Sequence, residues 1–143
     1  MHPFTKAAIY YAFAFGGNDT LWGGGGDDFI FGQGGKDRLR GDADNDRFVY
    51  QFASDSMTGA QCDGIADFDH SGNDVIDLRD VFAGVLTFVG TGAFTGIGQV
   101  RISDIAGADL AVEVNLSGNT TPEMQIYLFA VTAASMGADD FML

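Results

Sequence analysis

The sequence predicts an all-β fold in which a parallel β-roll is followed by a C-terminal antiparallel β-sheet or sandwich. The first observation behind this is a ladder of aspartates at a nine-residue spacing: Asp19, Asp28, Asp37 and Asp46. The second is a large apolar residue two positions after each of them: Leu21, Ile30, Leu39 and Phe48. The third is an alternation of apolar and polar residues after residue 84, which is typical of half-buried strands.

The nonapeptide that carries the two ladders reads G-G-x-G-x-D-x-U-x, where U is a large apolar residue. Glycine allows backbone angles that are closed to other residues, so six residues can turn sharply and direct several carbonyl oxygens to one point. The remaining three residues form a short strand whose U side chain points inward. Two such units complete one coil of a roll, so every second loop stacks on the same edge.

The stacked loops indicate a metal site made of oxygen ligands. Asp19 pairs with Asp37 along one edge of the roll, and Asp28 pairs with Asp46 along the other. Carboxylates combined with backbone carbonyls favour Ca²⁺ over transition metals. We therefore expect Ca²⁺ as the cofactor. We also expect its binding to be coupled to folding, because close carboxylates repel each other and three-residue strands bury little surface.

Four such repeats in register resemble the RTX, or haemolysin-type calcium-binding, family, whose repeat is this nonapeptide. The first and fourth repeats depart from it, with Phe15 in place of a glycine and with Asp42, Ala43 and Asp44 in the last loop. Terminal repeats are commonly atypical because they cap the stack. Asp44 is a candidate for an additional ligand.

A second resemblance covers the residues after the repeats. The segments Asp63-Gly-Ile-Ala-Asp67-Phe-Asp and Gly72-Asn-Asp-Val-Ile-Asp-Leu are similar to the region that follows the repeats in the C-terminal domain of serralysin-type proteins. The resemblance implies that Asp63 and Asp67 hold a further calcium against the end of the roll, and ordinary capping is the alternative. The predicted metal ligands are Gly17, Asn18, Asp19, Gly24, Gly26, Asp28, Gly35, Asp37, Asp44, Asp46, Asp63 and Asp67.

The last residues, Ala138-Asp-Asp-Phe-Met-Leu143, resemble the tail of substrates of type I secretion, an ATP-driven channel that crosses both membranes of a Gram-negative cell. A last strand that simply packs is the alternative. The resemblance implies that the chain is threaded unfolded where calcium is low and folds outside. It predicts an extracellular or cell-surface location and the type I machinery as a partner.

Composition excludes several other partners. The formal charge is −13, and all but two of the 20 acidic residues (Glu113 and Glu123) are aspartate. Nucleic acid and anionic membrane surfaces both require basic residues, so we expect neither as a partner. No apolar run approaches the roughly 20 residues of a membrane span, so stable membrane insertion is not expected. Cys62 is the single cysteine and cannot form an internal disulfide.

The predicted organisation has three parts: an N-terminal cap strand at 1–13, the calcium-binding β-roll at 14–50, and a C-terminal β subdomain with the secretion signal at 51–143. The apolar run at 7–15 predicts the first strand, with the core of a secretory signal peptide as the alternative. The strands of the last part are predicted at 85–89, 99–103, 110–116 and 124–129, with a turn at 117–120 between the last two.

The sequence thus predicts an extracellular calcium-binding module that is not an enzyme. Asp69 and His70 have no neighbouring nucleophile motif, and there is no HExxH zinc motif. One alternative is the C-terminal domain of a secreted enzyme, such as a serralysin-like protease, a lipase or an alginate epimerase. Another is a calcium-dependent surface adhesion or matrix protein. An extracellular polysaccharide and a second copy of the chain are further candidate partners.

Overall fold

The structure is a computed structural model that describes residues 10–143. In this range the chain forms strands joined by loops and four single-turn 3₁₀ helices: Ala53–Asp55, Gly59–Gln61, Ala133–Ser135 and Ala138–Asp140. None of the helices in the described part has the length and the apolar character needed to cross a bilayer. The all-β class predicted from the sequence is confirmed.

The strands of the first half of the chain alternate between two sheets. The seven strands of the first half are β1 Tyr11–Phe13, β2 Thr20–Gly25, β3 Phe29–Phe31, β4 Arg38–Ala43, β5 Arg47–Val49, β6 Asp63–Ile65 and β7 Val75–Asp77. Those of the second half are β8 Thr87–Phe88, β9 Gln99–Ile105, β10 Asp109–Asn115, β11 Met124–Leu128 and β12 Phe141–Met142. Sheet 1 has the order β1-β3-β5-β7-β12, and sheet 2 has the order β2-β4-β6-β11-β10-β9-β8.

Pairing between strands of successive coils is parallel and keeps the nonapeptide in register. Leu21 pairs with Leu39 in sheet 2, and Ile30 pairs with Phe48 in sheet 1. The ladder continues beyond the glycine-rich repeats, because Leu39 also pairs with Ile65. Connections longer than those of the repeats precede β6 and β7, and they leave the strand register intact. The parallel β-roll predicted from the sequence is confirmed.

The inward-facing residue of each strand builds the core of the roll. These side chains form one column per sheet: Leu21, Leu39 and Ile65 in sheet 2, and Ile30, Phe48, Ile76 and Phe141 in sheet 1. All of them are at most 8% exposed. Full burial of one such side chain stabilises the fold by about 1.5–3 kcal/mol. The stability of the three-residue strands therefore comes mainly from the packing of these columns and not from the length of the strands.

The C-terminal strands extend both sheets of the roll. β9, β10 and β11 form the antiparallel part that the sequence predicts. β11 runs parallel to β6, and β12 runs parallel to β7, so each sheet of the roll gains strands from the second half of the chain. In the predicted N-terminal cap strand, β1 begins at Tyr11. Residues 1–9 lie outside the described residues, as does part of the apolar run at 7–15.

Candidate metal centre

The four repeat loops share one backbone conformation. We number them loop 1 (14–19), loop 2 (23–28), loop 3 (32–37) and loop 4 (41–46). Each has positive φ at its second and fourth positions: Phe15 and Gly17, Gly24 and Gly26, Gln33 and Gly35, and Asp42 and Asp44. The nonapeptide has glycine at all eight of these positions, because other residues rarely adopt positive φ, and four of the eight keep it. The shared conformation makes the loops superimpose when they stack.

One edge of the roll carries a ladder of three aspartates, which we call the first ladder. The backbone N–H of Asp19 donates to Oδ1 of Asp37 over 2.9 Å. The backbone N–H of Asp37 in turn donates to Oδ1 of Asp63 over 2.8 Å. One carboxylate oxygen of Asp37 and of Asp63 thus holds the preceding coil in place.

The opposite edge carries the second ladder, built in the same way. The backbone N–H of Asp28 donates to Oδ1 of Asp46 over 3.0 Å, and that of Asp46 donates to Oδ1 of Asp74 over 2.9 Å. The N–H of Tyr10 donates to Oδ1 of Asp28 over 3.2 Å. The pairs Asp19 with Asp37 and Asp28 with Asp46 therefore lie together, as the nine-residue period predicts.

The second oxygen of most of these carboxylates has no hydrogen-bond partner. Within the described residues, Oδ2 is buried and unpartnered in Asp19, Asp28, Asp37, Asp46 and Asp63. The carboxylate turns back over the first glycine of its own loop: a Cβ at Gly23 would lie 2.5 Å from Oδ2 of Asp28, and one at Gly32 would lie 2.6 Å from Oδ2 of Asp37. Burying a charged oxygen without a hydrogen-bond donor costs free energy, so we expect a cation to bind at these oxygens.

The electrostatics of the two ladders agree with this requirement. Burial raises the pKa of Asp28 and of Asp37 above the ordinary value, with neighbouring carboxylates adding to the effect. Burial raises the pKa of Asp46 and of Asp63 further, to about 8. The protein by itself therefore disfavours the charged form of these carboxylates, and a bound cation would restore it.

The donor set fits Ca²⁺. In residues 10–143, no three His, Cys, Asp or Glu side chains gather into a ready-made metal cluster, so side chains alone do not complete the coordination. Backbone carbonyls of the stacked loops are close at hand, since the Gly17 carbonyl packs directly against Gly35. Paired carboxylates with backbone carbonyls form the all-oxygen set that Ca²⁺ prefers. The aspartates of both ladders would hold the ion, and the glycines would supply carbonyls.

Three other predicted ligands make hydrogen bonds to neighbouring loops in this structure. Oδ1 of Asn18 accepts the N–H of Lys36 over 3.0 Å, and Oδ2 of Asp44 accepts the N–H of Gly26 over 3.2 Å. Asp67 accepts from Gly41 through Oδ1 (3.0 Å) and from Asp42 through Oδ2 (2.7 Å). Asp63 and Asp67 are thus used differently: Asp63 continues the first ladder and Asp67 holds the backbone of loop 4. A ligand role for Asn18, Asp44 and Asp67 stays a prediction.

Two residues of this region were missed by the sequence analysis. Asp74 continues the second ladder, although no glycine-rich loop precedes it. The sequence does contain a signal for Asp74, because the segment Gly72-Asn-Asp74-Val-Ile76 repeats the G-x-D-x-U part of the nonapeptide. The second residue is Tyr50, whose buried hydroxyl has no hydrogen-bond partner. No sequence pattern marks Tyr50, because it follows the last repeat in a region without a period.

Comparison with known proteins connects this geometry to a family. Residues 13–48 match the model of the RTX calcium-binding nonapeptide repeat in four copies. The solution structure of the AlgE6R3 subunit of the Azotobacter vinelandii mannuronan C5-epimerase has the same fold, with a TM-score of 0.62 and 23% sequence identity, over 98% of this chain and 81% of that one. The AlgE6R2 subunit of the same epimerase matches with a TM-score of 0.44 and 24% identity, over 94% of this chain and 91% of that one.

Curated protein sequences give no match to the chain. The family model and the fold agree with the two aspartate ladders, since the matched residues include loops 1 to 4 and their inward-facing strands. Residues 13–48 are therefore four RTX calcium-binding nonapeptide repeats, and the chain carries a calcium-binding β-roll of the RTX type.

Proposed function

We propose that this chain is an extracellular module that folds when calcium binds to its two aspartate ladders, after export through a type I secretion channel. The observation that carries the proposal is the row of buried Oδ2 atoms without partners in Asp19, Asp28, Asp37, Asp46 and Asp63. The module binds calcium in this proposal and performs no chemistry of its own.

Without a bound ion, the two ladders bury carboxylate oxygens that have no partner. Asp37 is 2% exposed and Asp46 is 1% exposed, and each shares its edge of the roll with further carboxylates. Burying such charges without a counter-ion costs several kcal/mol each in effective terms. The inward columns of short strands offset only part of that cost. The roll is therefore stable only when calcium, or a proton, neutralises the carboxylates.

Circular dichroism of the chain during a calcium titration tests the folding step. At a pH that keeps the ladder carboxylates ionised, we expect little β signal from the repeats in excess chelator, and a cooperative gain of β signal at free Ca²⁺ of roughly 10⁻⁴ to 10⁻³ M, the range of extracellular modules. Mg²⁺ should substitute poorly, because it prefers a smaller octahedral site and loses its water reluctantly. An unchanged spectrum and melting temperature in chelator would contradict the proposal.

The export step is tested at the C-terminus. The tail forms β12, in which Phe141 pairs with Ile76 and is 7% exposed. We propose that the same residues are read by the export machinery while the chain is unfolded. Removing 140–143 should sharply lower the amount secreted through a matching type I channel, whereas the repeats should still take up calcium, at a higher free Ca²⁺ because β12 no longer closes the core column of sheet 1. Equal secretion of the truncated and full chains would show that the tail only packs in the fold and is not the export signal.

A second candidate role is that of a module attached to a secreted enzyme. The observation that favours it is the fold shared with a repeat subunit of a mannuronan C5-epimerase over 98% of this chain. In that case the catalytic part would be encoded ahead of this segment, and the module would assist its export and folding. Expressing the whole gene product with and without this module separates the two roles. Loss of enzyme activity that calcium and the added module restore would support the second.

A further inference from the structure

An aromatic stack runs across the outer side of sheet 1 toward its first strand. The guanidinium carbon of Arg47 on β5 lies 4.7 Å from the ring centroid of Phe29 on β3. The ring of Phe29 also stacks on that of Tyr11 on β1, with centroids 5.0 Å apart and planes within 11° of parallel. Beside this pair, Phe31 stacks on Phe13 with centroids 4.5 Å apart. The stack is therefore covered on the β5 side and ends at β1.

The second ring face of Tyr11 and of Phe13 points away from β3, across the edge of sheet 1. Parallel rings at the spacing of neighbouring strands have one face against the next strand, so the other face is free to stack in the same direction. Tyr11 is 62% exposed, Phe13 is 46% exposed, and Phe15 beside them is 70% exposed. Exposed apolar patches of this kind mark interaction sites on soluble proteins. The open stack suits a further strand that carries aromatic side chains.

The backbone of β1 is open on the same side. The carbonyl of Tyr10 and the N–H of Ala14 bond to β3, over 2.8 and 3.1 Å. Successive residues of a strand direct their backbone groups to opposite sides, so the N–H and C=O groups of Tyr11 and Phe13 point away from β3. Within residues 10–143, β1 is the end strand of sheet 1 and pairs with β3 alone. Backbone groups and aromatic rings are thus presented together at this edge.

The sequence of β1 lacks the features that keep an edge strand from pairing with another chain. Natural edge strands carry charged residues, a proline or a bulge. Residues 7–17 contain no Asp, Glu, Lys, Arg or Pro, and β1 pairs with β3 without a bulge. In a chain with a formal charge of −13, this uncharged stretch allows a second copy to approach without placing one charged side chain of β1 against its equal. The edge is therefore open to a second copy of the chain.

The strand is also complementary to itself. In an antiparallel pair centred on Ala12, Tyr11 of each copy lies opposite Phe13 of the other, and both residues have their backbone groups on the open side. Facing aromatic side chains stabilise such a pair. A contact of this kind has two-fold symmetry and closes after two copies, so it predicts a dimer and not a fibre.

We propose that two calcium-loaded chains associate through antiparallel pairing of their β1 strands, which joins the two copies of sheet 1 into one continuous sheet. Four aromatic residues at the edge, at positions 10, 11, 13 and 15, each expose roughly 100 Å², so the dimer would bury roughly 800 Å² of their surface. Stable complexes bury at least about 1,200 Å². We therefore expect a weak dimer with a dissociation constant of roughly 10⁻⁵ to 10⁻⁴ M. This inference rests on the calcium-driven folding proposed above, because β1 belongs to the roll.

Sedimentation velocity of the calcium-loaded chain at a series of concentrations tests the dimer. The mass should rise from that of one chain toward that of two, and added salt should favour the dimer because it screens the repulsion between two negatively charged copies. Phe13→Lys, which places a charge on the edge, should stay monomeric. Phe52→Lys, the same change at an exposed phenylalanine outside sheet 1, should associate like the parent chain. A folded parent that stays monomeric, or equal association of the two variants, would overturn the inference.

Amide hydrogen exchange of the parent chain, followed by NMR, decides the matter even if Phe13→Lys fails to fold. The N–H groups of Tyr11 and Phe13 should exchange roughly fivefold more slowly at high than at low protein concentration, because pairing protects them. The N–H of Ala14, which already bonds to β3, should change little. Association that leaves Tyr11 and Phe13 unprotected would overturn the pairing. Circular dichroism of the same samples separates the two proposals: a chain that does not fold with calcium contradicts the proposed function, whereas a folded monomer contradicts the dimer alone.

Discussion

Replacing Gly35 with alanine tests whether the close stacking of loops 1 and 3 holds the first ladder together. Gly35 has φ +114°, and a Cβ there would collide with the carbonyl of Gly17 in the loop below. The neighbouring Gly34 is a matched control: it lacks a positive φ, and a Cβ would meet no heavy atom within 4 Å. The same chemical change is therefore made one residue apart, in a strained and in an open position.

The expected magnitude follows from two costs. An alanine forced into a backbone region that suits only glycine loses about 1–3 kcal/mol. Pushing its methyl group against a backbone carbonyl costs about as much again, because that carbonyl cannot turn away as a side chain could. For Gly35→Ala we expect a total loss of about 3 kcal/mol in the free energy of unfolding. For Gly34→Ala we expect a change of at most about 1 kcal/mol, of either sign.

The calcium midpoint of folding, read by circular dichroism, converts this loss into a measured quantity. If two ions bind cooperatively, each tenfold rise in free Ca²⁺ adds about 2.8 kcal/mol to the stability of the folded state. The midpoint of Gly35→Ala should therefore rise about tenfold, while that of Gly34→Ala should stay within about twofold of the parent. Equal midpoints for the two variants would refute the argument that contact between loops 1 and 3 organises the site.

Three further outcomes are expected. Asp37→Asn should weaken calcium binding far more than Asp80→Asn, which removes the same charge from an exposed turn. Equal losses of calcium affinity, measured by calorimetry, would mean that overall charge and not the ladder holds the ion. Phe141→Ala should lower the free energy of unfolding by about 3–5 kcal/mol in urea titrations, because β12 closes the core column of sheet 1. A loss below about 1 kcal/mol would show that the tail is not part of the core. In chelator, the β signal of the repeats should fall as the pH rises from 5 to 8. The folded-state pKa of Asp46 and of Asp63 is about 8, above the unfolded value, so protonation of these carboxylates stabilises the fold at low pH, and that contribution is lost as the pH rises through the folded-state value. The calcium-loaded protein should not show that fall, and an identical fall with calcium would contradict the assignment.

Much of the candidate site could be predicted because its geometry is local. Loop conformation depends on glycines at fixed positions, and the nine-residue period alone places Asp19 over Asp37 and Asp28 over Asp46. Where the period breaks, the prediction weakens. Asp67 was grouped with Asp63 by resemblance, yet the structure directs its two oxygens to the backbone of loop 4. A resemblance of sequence reports which residues are present, not which way each carboxylate turns.

The sequence by itself determined the all-β class, the parallel β-roll, the inward columns and calcium as the cofactor, because a nine-residue repeat fixes both backbone conformation and side-chain direction within each coil. Only the tertiary structure decided how the roll ends. The connections before β6 and β7 have no period, so their lengths did not reveal that Asp63 and Asp74 rejoin the two ladders 26 and 28 residues after Asp37 and Asp46. It also decided that β11 and β12 join the sheets of the roll. Such contacts between distant segments depend on which exposed strand edge is free when the chain folds, and periodicity along the sequence does not record that.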